Sequence, residues 1–109
     1  MRPSNALSAD GPANLYNAVA VAGDPSAAGK GVMVVINDRV LGARDVTKTN
    51  TTGVETFQSP NAGQLATIHN GKVLWDATPV TKHTTQTQFK VDGFRQAAEG
   101  RCGLSARRC

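Results

Sequence analysis

The sequence predicts a domain of the α/β class, and three observations lead to it. A stretch with helical periodicity at residues 12–22 is followed by a short flexible connection at 27–31 and a continuous apolar run at 32–36. An apolar run without alternation is typical of a strand covered on both faces, as in a parallel sheet. Helix, short loop and buried strand in succession indicate an α/β domain. With 109 residues, the chain is long enough for one small domain and too short for two.

The helix has recognisable start and stop signals. Asp10 is expected to cap its first turn, and Pro12 stands where a missing N–H costs nothing. Gly23, followed by Asp-Pro, ends the segment. Four apolar residues recur at helical spacing, with Asn14 and Asn17 on another face: Leu15, Ala18, Val19 and Ala22.

The elements after the apolar run are shorter. Asn37-Asp38 predicts a turn, residues 39–41 a short strand, and the polar, threonine-rich stretch 44–59 a long ordered loop. The segments 65–69 and 72–75 flank Asn70-Gly71, a dipeptide that supplies the positive φ angles of a type I′ turn. A β-hairpin is therefore predicted there, followed by irregular chain over 76–91.

Charge and cysteine are concentrated at one end. The net charge is +4, of which residues 93–109 carry +3, so the basicity does not indicate a nucleic-acid or membrane partner for the body of the chain. Cys102 and Cys109 match no zinc spacing and are expected to be free thiols. There is no apolar run long enough for a membrane span, and from the polar start of the sequence we expect no signal peptide. We expect no metal and no cofactor.

One residue stands out chemically. Lys48 lies between Thr47 and Thr49, and a desolvated lysine beside a hydroxyl can share or accept a proton and help to activate a nucleophile. A solvated surface lysine is the commoner alternative. His69 is expected at a strand end and His83 at the surface, and neither is assigned a catalytic role. The sequence Gly-Lys-Gly at 29–31 precedes a strand, so it does not indicate a phosphate-binding loop.

An ordered series of segments over residues 1–91 resembles the bacterial type II L-asparaginases and the related glutaminase-asparaginases. The segments are Met-Arg-Pro-Ser (1–4), Ser-Ala-Asp-Gly-Pro (8–12), Asn-Leu-Tyr-Asn-Ala-Val (14–19), Gly-Val-Met-Val-Val-Ile-Asn-Asp (31–38), Arg-Asp-Val-Thr-Lys-Thr-Asn-Thr-Thr (44–52), Ile-His-Asn-Gly-Lys (68–72) and Lys-His-Thr (82–84).

The resemblance implies an amidohydrolase that converts L-asparagine, and in some members L-glutamine, to the acid and ammonia without metal or cofactor. In the family, a threonine of a Thr-Gly-Gly-Thr motif attacks the amide. It is supported by a threonine and an aspartate from His-Gly-Thr-Asp-Thr and a lysine from Asp-Val-Thr-Lys-Thr. Only the last motif is present, at residues 45–49, so Lys48 is the one catalytic residue carried over. The family also implies homotetramers and, for the full-length protein, a periplasmic location.

The resemblance implies that residues 1–92 are part of a three-layer, parallel-sheet N-terminal domain. Residues 93–109 depart from the family, and we expect a disordered tail produced by one extra nucleotide near codon 96. Without the threonine motifs, this chain alone is expected to be inactive, and without a signal peptide its location is cytoplasmic or unknown. Two alternatives remain open: a small non-catalytic interaction domain that binds anionic partners through its arginine tail, and a truncated subunit that assembles with an intact asparaginase.

Overall fold

The computed structural model describes residues 1–89, which form a helix packed on a small antiparallel sheet. The predicted α/β class is confirmed. The elements of the described residues, in chain order, are helix α1 (Gly11–Ala22), a 3₁₀ turn (Pro25–Ala27), strands β1 (Met33–Ile36), β2 (Arg39–Gly42), β3 (Thr47–Lys48), β4 (Phe57–Gln58), β5 (Ala66–His69) and β6 (Lys72–Trp75), and a second 3₁₀ turn (Thr84–Gln86).

Two tight hairpins build the main sheet, whose strand order is β1-β2-β5-β6. Ile36 pairs with Arg39 across the first turn, and His69 pairs with Lys72 across the second. Both residues of each turn have positive φ: 51° and 56° at 37–38, and 50° and 74° at 70–71. This is the type I′ geometry that matches the twist of the flanking strands. The predicted hairpin at Asn70-Gly71 is confirmed.

The pairing of β1 differs from the expectation of a parallel strand covered on both faces. In the described residues β1 pairs only with β2, antiparallel, and Ile36 alone among its residues is fully buried. The reason is the turn at Asn37-Asp38, which returns the chain directly onto β1 after two residues. An uninterrupted apolar sequence indicates burial but does not specify the direction of the neighbouring strand.

Helix α1 packs against the sheet through its polar residues more than through the expected apolar ones. Asn17 is buried and its amide donates to Asp38 at 2.7 Å, while Asn14 accepts from the backbone N–H of Asn37 at 3.1 Å. Leu15 and Val19 are 68% and 65% exposed. The two asparagines therefore attach the helix to the first hairpin turn.

Asp10 occupies the N-cap position but does not cap the helix with its side chain. Its carboxylate accepts instead from the backbone N–H of Arg2 at 2.7 Å and from the amide of Asn14 at 3.3 Å. The hydrogen bond from Arg2 is the main reason that the pKa of Asp10 is lowered. The predicted side-chain cap by Asp10 is therefore wrong, although the helix begins where expected.

The core lies between α1 and the sheet. Val40, at 0% exposure, is opposite Val35 on one side and Ala66 on the other. The other buried apolar residues of this cluster are Val21, Leu65 and Ile68, with Met33, Val73 and Trp75 packed against it.

The connections are ordered but contain little regular structure. The predicted loop at 44–59 includes the two-residue strands β3 and β4, which pair in a second, two-stranded sheet. Residues 76–89 are irregular apart from one 3₁₀ turn, as expected. The predicted boundary at residue 92 and the tail 93–109, with Cys102 and Cys109, lie outside the described residues.

Candidate functional site

Lys48 lies on strand β3, directly opposite Phe57 of β4. Residues opposite each other in an antiparallel pair project from the same face of the sheet, so Lys48 and Phe57 share one face of the β3–β4 pair. Lys48 is exposed and Phe57 is half-buried. The structure therefore places the ammonium group at a solvent-accessible position on a defined strand.

The loop that joins β3 to β4 is closed by its own hydrogen bonds. The backbone N–H and the hydroxyl of Thr49 both donate to the carbonyl of Thr56, at 2.7 and 2.9 Å. The side-chain oxygen of Asn50 accepts from the backbone N–H groups of Thr52 and Gly53, at 3.0 and 3.2 Å. This Asx arrangement fixes the tip of the loop without regular secondary structure.

The amino group of Met1 contacts the same loop. It donates to the carbonyl of Gly53 and to the hydroxyl of Thr56, the latter at 3.3 Å. The Thr56 hydroxyl in turn donates to the carbonyl of Gly53. The residue that begins the chain and the segment that carries Lys48 are therefore neighbours in space, although about fifty positions separate them in sequence.

A cavity of about 390 Å³ lies elsewhere, between the connections at 30–32, 42–45 and 77–83. Its charged residues are Lys30, Arg44, Asp45 and Lys82, with His83 also in the wall. Lys48 does not line it. The cavity therefore brings together several charged side chains of the described region, and Lys48 is not one of them.

His83 is half-buried, not exposed as expected, and holds two segments together. Its Nε2 lies 2.7 Å from the carbonyl of Gly29, which can only accept, so Nε2 carries a proton. Its Nδ1 lies 2.9 Å from the Thr84 hydroxyl, and its ring packs over Gly31. These contacts indicate a structural role. His69 lies at the exposed end of β5, as predicted.

The indole of Trp75 connects a second group of charged residues that the sequence did not single out. Its Nε1 donates to Asp24 at 3.2 Å, and the Lys30 ammonium lies 4.6 Å from its ring centre. A backbone hydrogen bond from Ser26 and then the bond from Trp75 hold the pKa of Asp24 below its ordinary value. Lys30 also donates to Thr78 at 2.9 Å. This group joins the end of α1 to β6. Its residues lie far apart in the sequence, so they form no recognisable motif.

Within residues 1–89 no three His, Cys, Asp or Glu side chains come together in a way that would hold a metal ion. In the same part of the chain, no helix combines the length and the apolarity needed to cross a membrane.

Comparison with known proteins identifies the family. Residues 1–81 match the family described as asparaginase, N-terminal. The chain is 60% identical over 96 residues to L-asparaginase 2 of Escherichia coli, covering 88% of this chain and 28% of that protein. It is 59% identical over 92 residues to the probable periplasmic L-asparaginase of Haemophilus influenzae, covering 84% of this chain and 26% of that protein.

Further relatives extend the range of named activities and compartments. A glutaminase-asparaginase of Pseudomonas aeruginosa is 50% identical over 91 residues, which is 84% of this chain and 25% of that protein. The solved structure of a probable cytoplasmic L-asparaginase from Campylobacter jejuni has a TM-score of 0.80 at 49% identity, covering 85% of this chain and 30% of the other.

This α/β chain therefore belongs to the asparaginase N-terminal family. It spans only about a quarter to three tenths of the length of these relatives. The relatives include proteins named as periplasmic and as cytoplasmic.

Proposed function

We propose that this chain is part of an asparaginase-type amidohydrolase of the type II class, which converts L-asparagine and water to L-aspartate and ammonia. In this proposal Lys48 is the chain's contribution to the catalytic site. The observation that carries it is the position of Lys48 in an Asp-Val-Thr-Lys-Thr segment (45–49) on a hydrogen-bonded hairpin, with the amino group of Met1 against the same loop. Chain that precedes Met1 in a longer protein would enter beside Lys48.

The chemistry requires a nucleophile that these residues do not provide. A threonine hydroxyl attacks the side-chain amide carbon, the nitrogen leaves as ammonia, and water then hydrolyses the ester to release L-aspartate. Lys48 would take part in proton transfer and hold negative charge near the attacking hydroxyl. Neither Thr-Gly-Gly-Thr nor His-Gly-Thr-Asp-Thr occurs in the 109 residues. A lysine without the nucleophile cannot perform acyl transfer, so the chain on its own is proposed to be inactive.

Substrate, assembly and location are proposed for the longer protein. Relatives named glutaminase-asparaginase support L-glutamine as a second substrate. Homotetramers and a periplasmic location follow from the type II resemblance, and the relative named as periplasmic supports the location.

The test is a chimera in which residues 1–81 replace the matching segment of the Escherichia coli relative, which supplies the remaining chain. We expect ammonia release from L-asparagine, and a loss of about 100- to 10,000-fold in kcat for Lys48→Ala, the usual range for a group that transfers protons. Lys72→Ala is the matched control, because Lys72 is an exposed lysine on a strand of a different hairpin, β5–β6.

Two results would refute the proposal. One is a chimera that is active and keeps its kcat when Lys48 is replaced by alanine. The other is ammonia release by the 109-residue chain alone that disappears in its Lys48→Ala variant, because that would mean that the chain does not need an external nucleophile. Circular dichroism and gel filtration of each chimera separate loss of chemistry from loss of assembly.

A further inference from the structure

Thr56 is the most enclosed residue of the loop that carries Lys48. Its side chain is at 0% exposure, whereas the two threonines at the loop tip, Thr51 and Thr52, are exposed. Its hydroxyl donates to the carbonyl of Gly53 and accepts from the amino group of Met1. A buried threonine with its hydroxyl in use both ways is a specific choice over valine, which has the same shape and no polar group.

The backbone of Thr56 closes the other side of the loop. Its carbonyl accepts from both the N–H and the hydroxyl of Thr49, at 2.7 and 2.9 Å. Thr49 follows Lys48 directly, and Phe57, opposite Lys48, follows Thr56 directly. The bonds between Thr49 and Thr56 are therefore the next rung of the β3–β4 ladder beyond Lys48.

Strands of two residues have little stability of their own, so the direction of β3 depends on the contacts at its end. On one side of Lys48 the pairing of Thr47 with Gln58 supports the strand, and on the other the Thr49–Thr56 bonds do so. If the Thr56 side chain lost its anchor on Gly53, the loop would be free to shift and β3 would turn with it.

We propose that Thr56 is a positioning residue for Lys48: its buried hydroxyl, which donates to the carbonyl of Gly53 and accepts from the nitrogen of Met1, fixes the hairpin that orients the lysine. The proposal rests on the proposed function, in which Lys48 is catalytic. Thr56 itself touches no substrate in this arrangement, and it acts through the geometry of its neighbours.

The experiment uses the active chimera described above, with three substitutions of similar size. Thr56→Val removes the hydroxyl and keeps the shape, Thr56→Ser keeps the hydroxyl, and Thr51→Val makes the same chemical change at an exposed position. A displacement of about 1 Å at a catalytic group costs up to about 100-fold in rate. We expect Thr56→Val to lower kcat by about 10- to 100-fold with KM within about twofold. Thr56→Ser should stay within about threefold of the parent, and Thr51→Val should leave kcat unchanged.

A purely structural role would give a different pattern: a lower melting temperature with an unchanged kcat in the folded chimera. That pattern, or equal kcat for Thr56→Val and Thr51→Val, overturns the proposal. If Thr56→Val fails to assemble, Thr49→Val decides, because it removes only the hydroxyl bond to the Thr56 carbonyl from an exposed side chain. A fall in its kcat of about threefold or more supports the proposal, and no fall overturns it.

Failure of this inference is distinguishable from failure of the proposed function. If Lys48→Ala leaves the chimera active, the proposed function has failed. If Lys48→Ala abolishes activity and the threonine variants behave alike, only the positioning role has failed.

A further measurement on the 109-residue chain follows the exchange of the Thr49 amide proton. This proton is expected to be protected in the parent and in Thr51→Val, and to exchange at least about tenfold faster in Thr56→Val. Equal exchange in all three overturns the proposal.

Discussion

Truncation of Val40 tests the fold directly, because this side chain has 0% exposure at the centre of the sheet. Val40→Ala removes two methyl-sized groups, which corresponds to about 1.6 kcal/mol of lost transfer free energy at ~0.8 kcal/mol per group. Incomplete collapse around the site adds up to about 1 kcal/mol. We expect the free energy of unfolding to fall by about 1.5–3 kcal/mol in total.

Urea unfolding of the 109-residue chain, followed by the fluorescence of Trp75, measures this loss. Trp75 is the sole tryptophan of the sequence and packs against the core cluster. At an m-value of about 1 kcal/mol/M, the midpoint moves down by about 1.5–3 M. Val80→Ala is the matched control, since Val80 is 97% exposed and the same change there is expected to cost less than about 0.5 kcal/mol. Equal midpoints for the two variants would refute the placement of β2 between β1 and β5.

Two further predictions concern the second hairpin and the Trp75 contact. Gly71→Ala is expected to destabilise the chain by about 1–2 kcal/mol in the same urea assay, because Gly71 has a φ of 74° and an added Cβ would lie 3.1 Å from the Tyr16 hydroxyl. Gly11→Ala, where an added Cβ meets nothing within 4 Å, serves as its control and should not destabilise. The pKa of Asp24 is lowered in the folded chain, so its ionised carboxylate stabilises the fold above the ordinary value of 3.8, and this contribution disappears as the pH falls through the lowered pKa. Asp24→Asn should therefore weaken the acid dependence of stability below about pH 4, measured by urea unfolding at several pH values, and an unchanged dependence would contradict the hydrogen bonds that Asp24 accepts from Ser26 and Trp75.

Short-range sequence signals predicted the tight turns and the end of the helix correctly. The Asn70-Gly71 dipeptide predicted both the turn type and the hairpin, and Gly23 marked the end of the helix correctly. Asn37-Asp38 forms the same kind of positive-φ turn, but the dipeptide is a weaker hairpin signal because aspartate stands in place of glycine. The turn was predicted there without the antiparallel pairing that it produces.

Long-range contacts were not accessible to this reasoning. The attachment of α1 through Asn14 and Asn17 joins residues more than twenty positions apart, and the bond from His83 to Gly29 spans 54 positions. The strands β3 and β4 are two residues long, too short to show a detectable alternation of apolar and polar residues. The motif around Lys48 led to the hypothesis that this lysine is catalytic, whereas nothing in the sequence indicated that Thr56 closes its loop.

The two-residue turns also determine the order in which this region can fold. Each hairpin closes within its own sequence, and isolated hairpins form in about 1–10 μs. In the main sheet only the pairing of β2 with β5 joins distant segments, and the chain between them, residues 43–65, contains the Lys48 loop. Because closure entropy rises only by about 0.6 kcal/mol for each doubling of loop length, insertions in this connection cost the sheet little. The main sheet therefore tolerates insertions in this connection, whereas the pairing of Lys48 with Phe57 and the Thr49–Thr56 bonds depend on the residues that the connection contains.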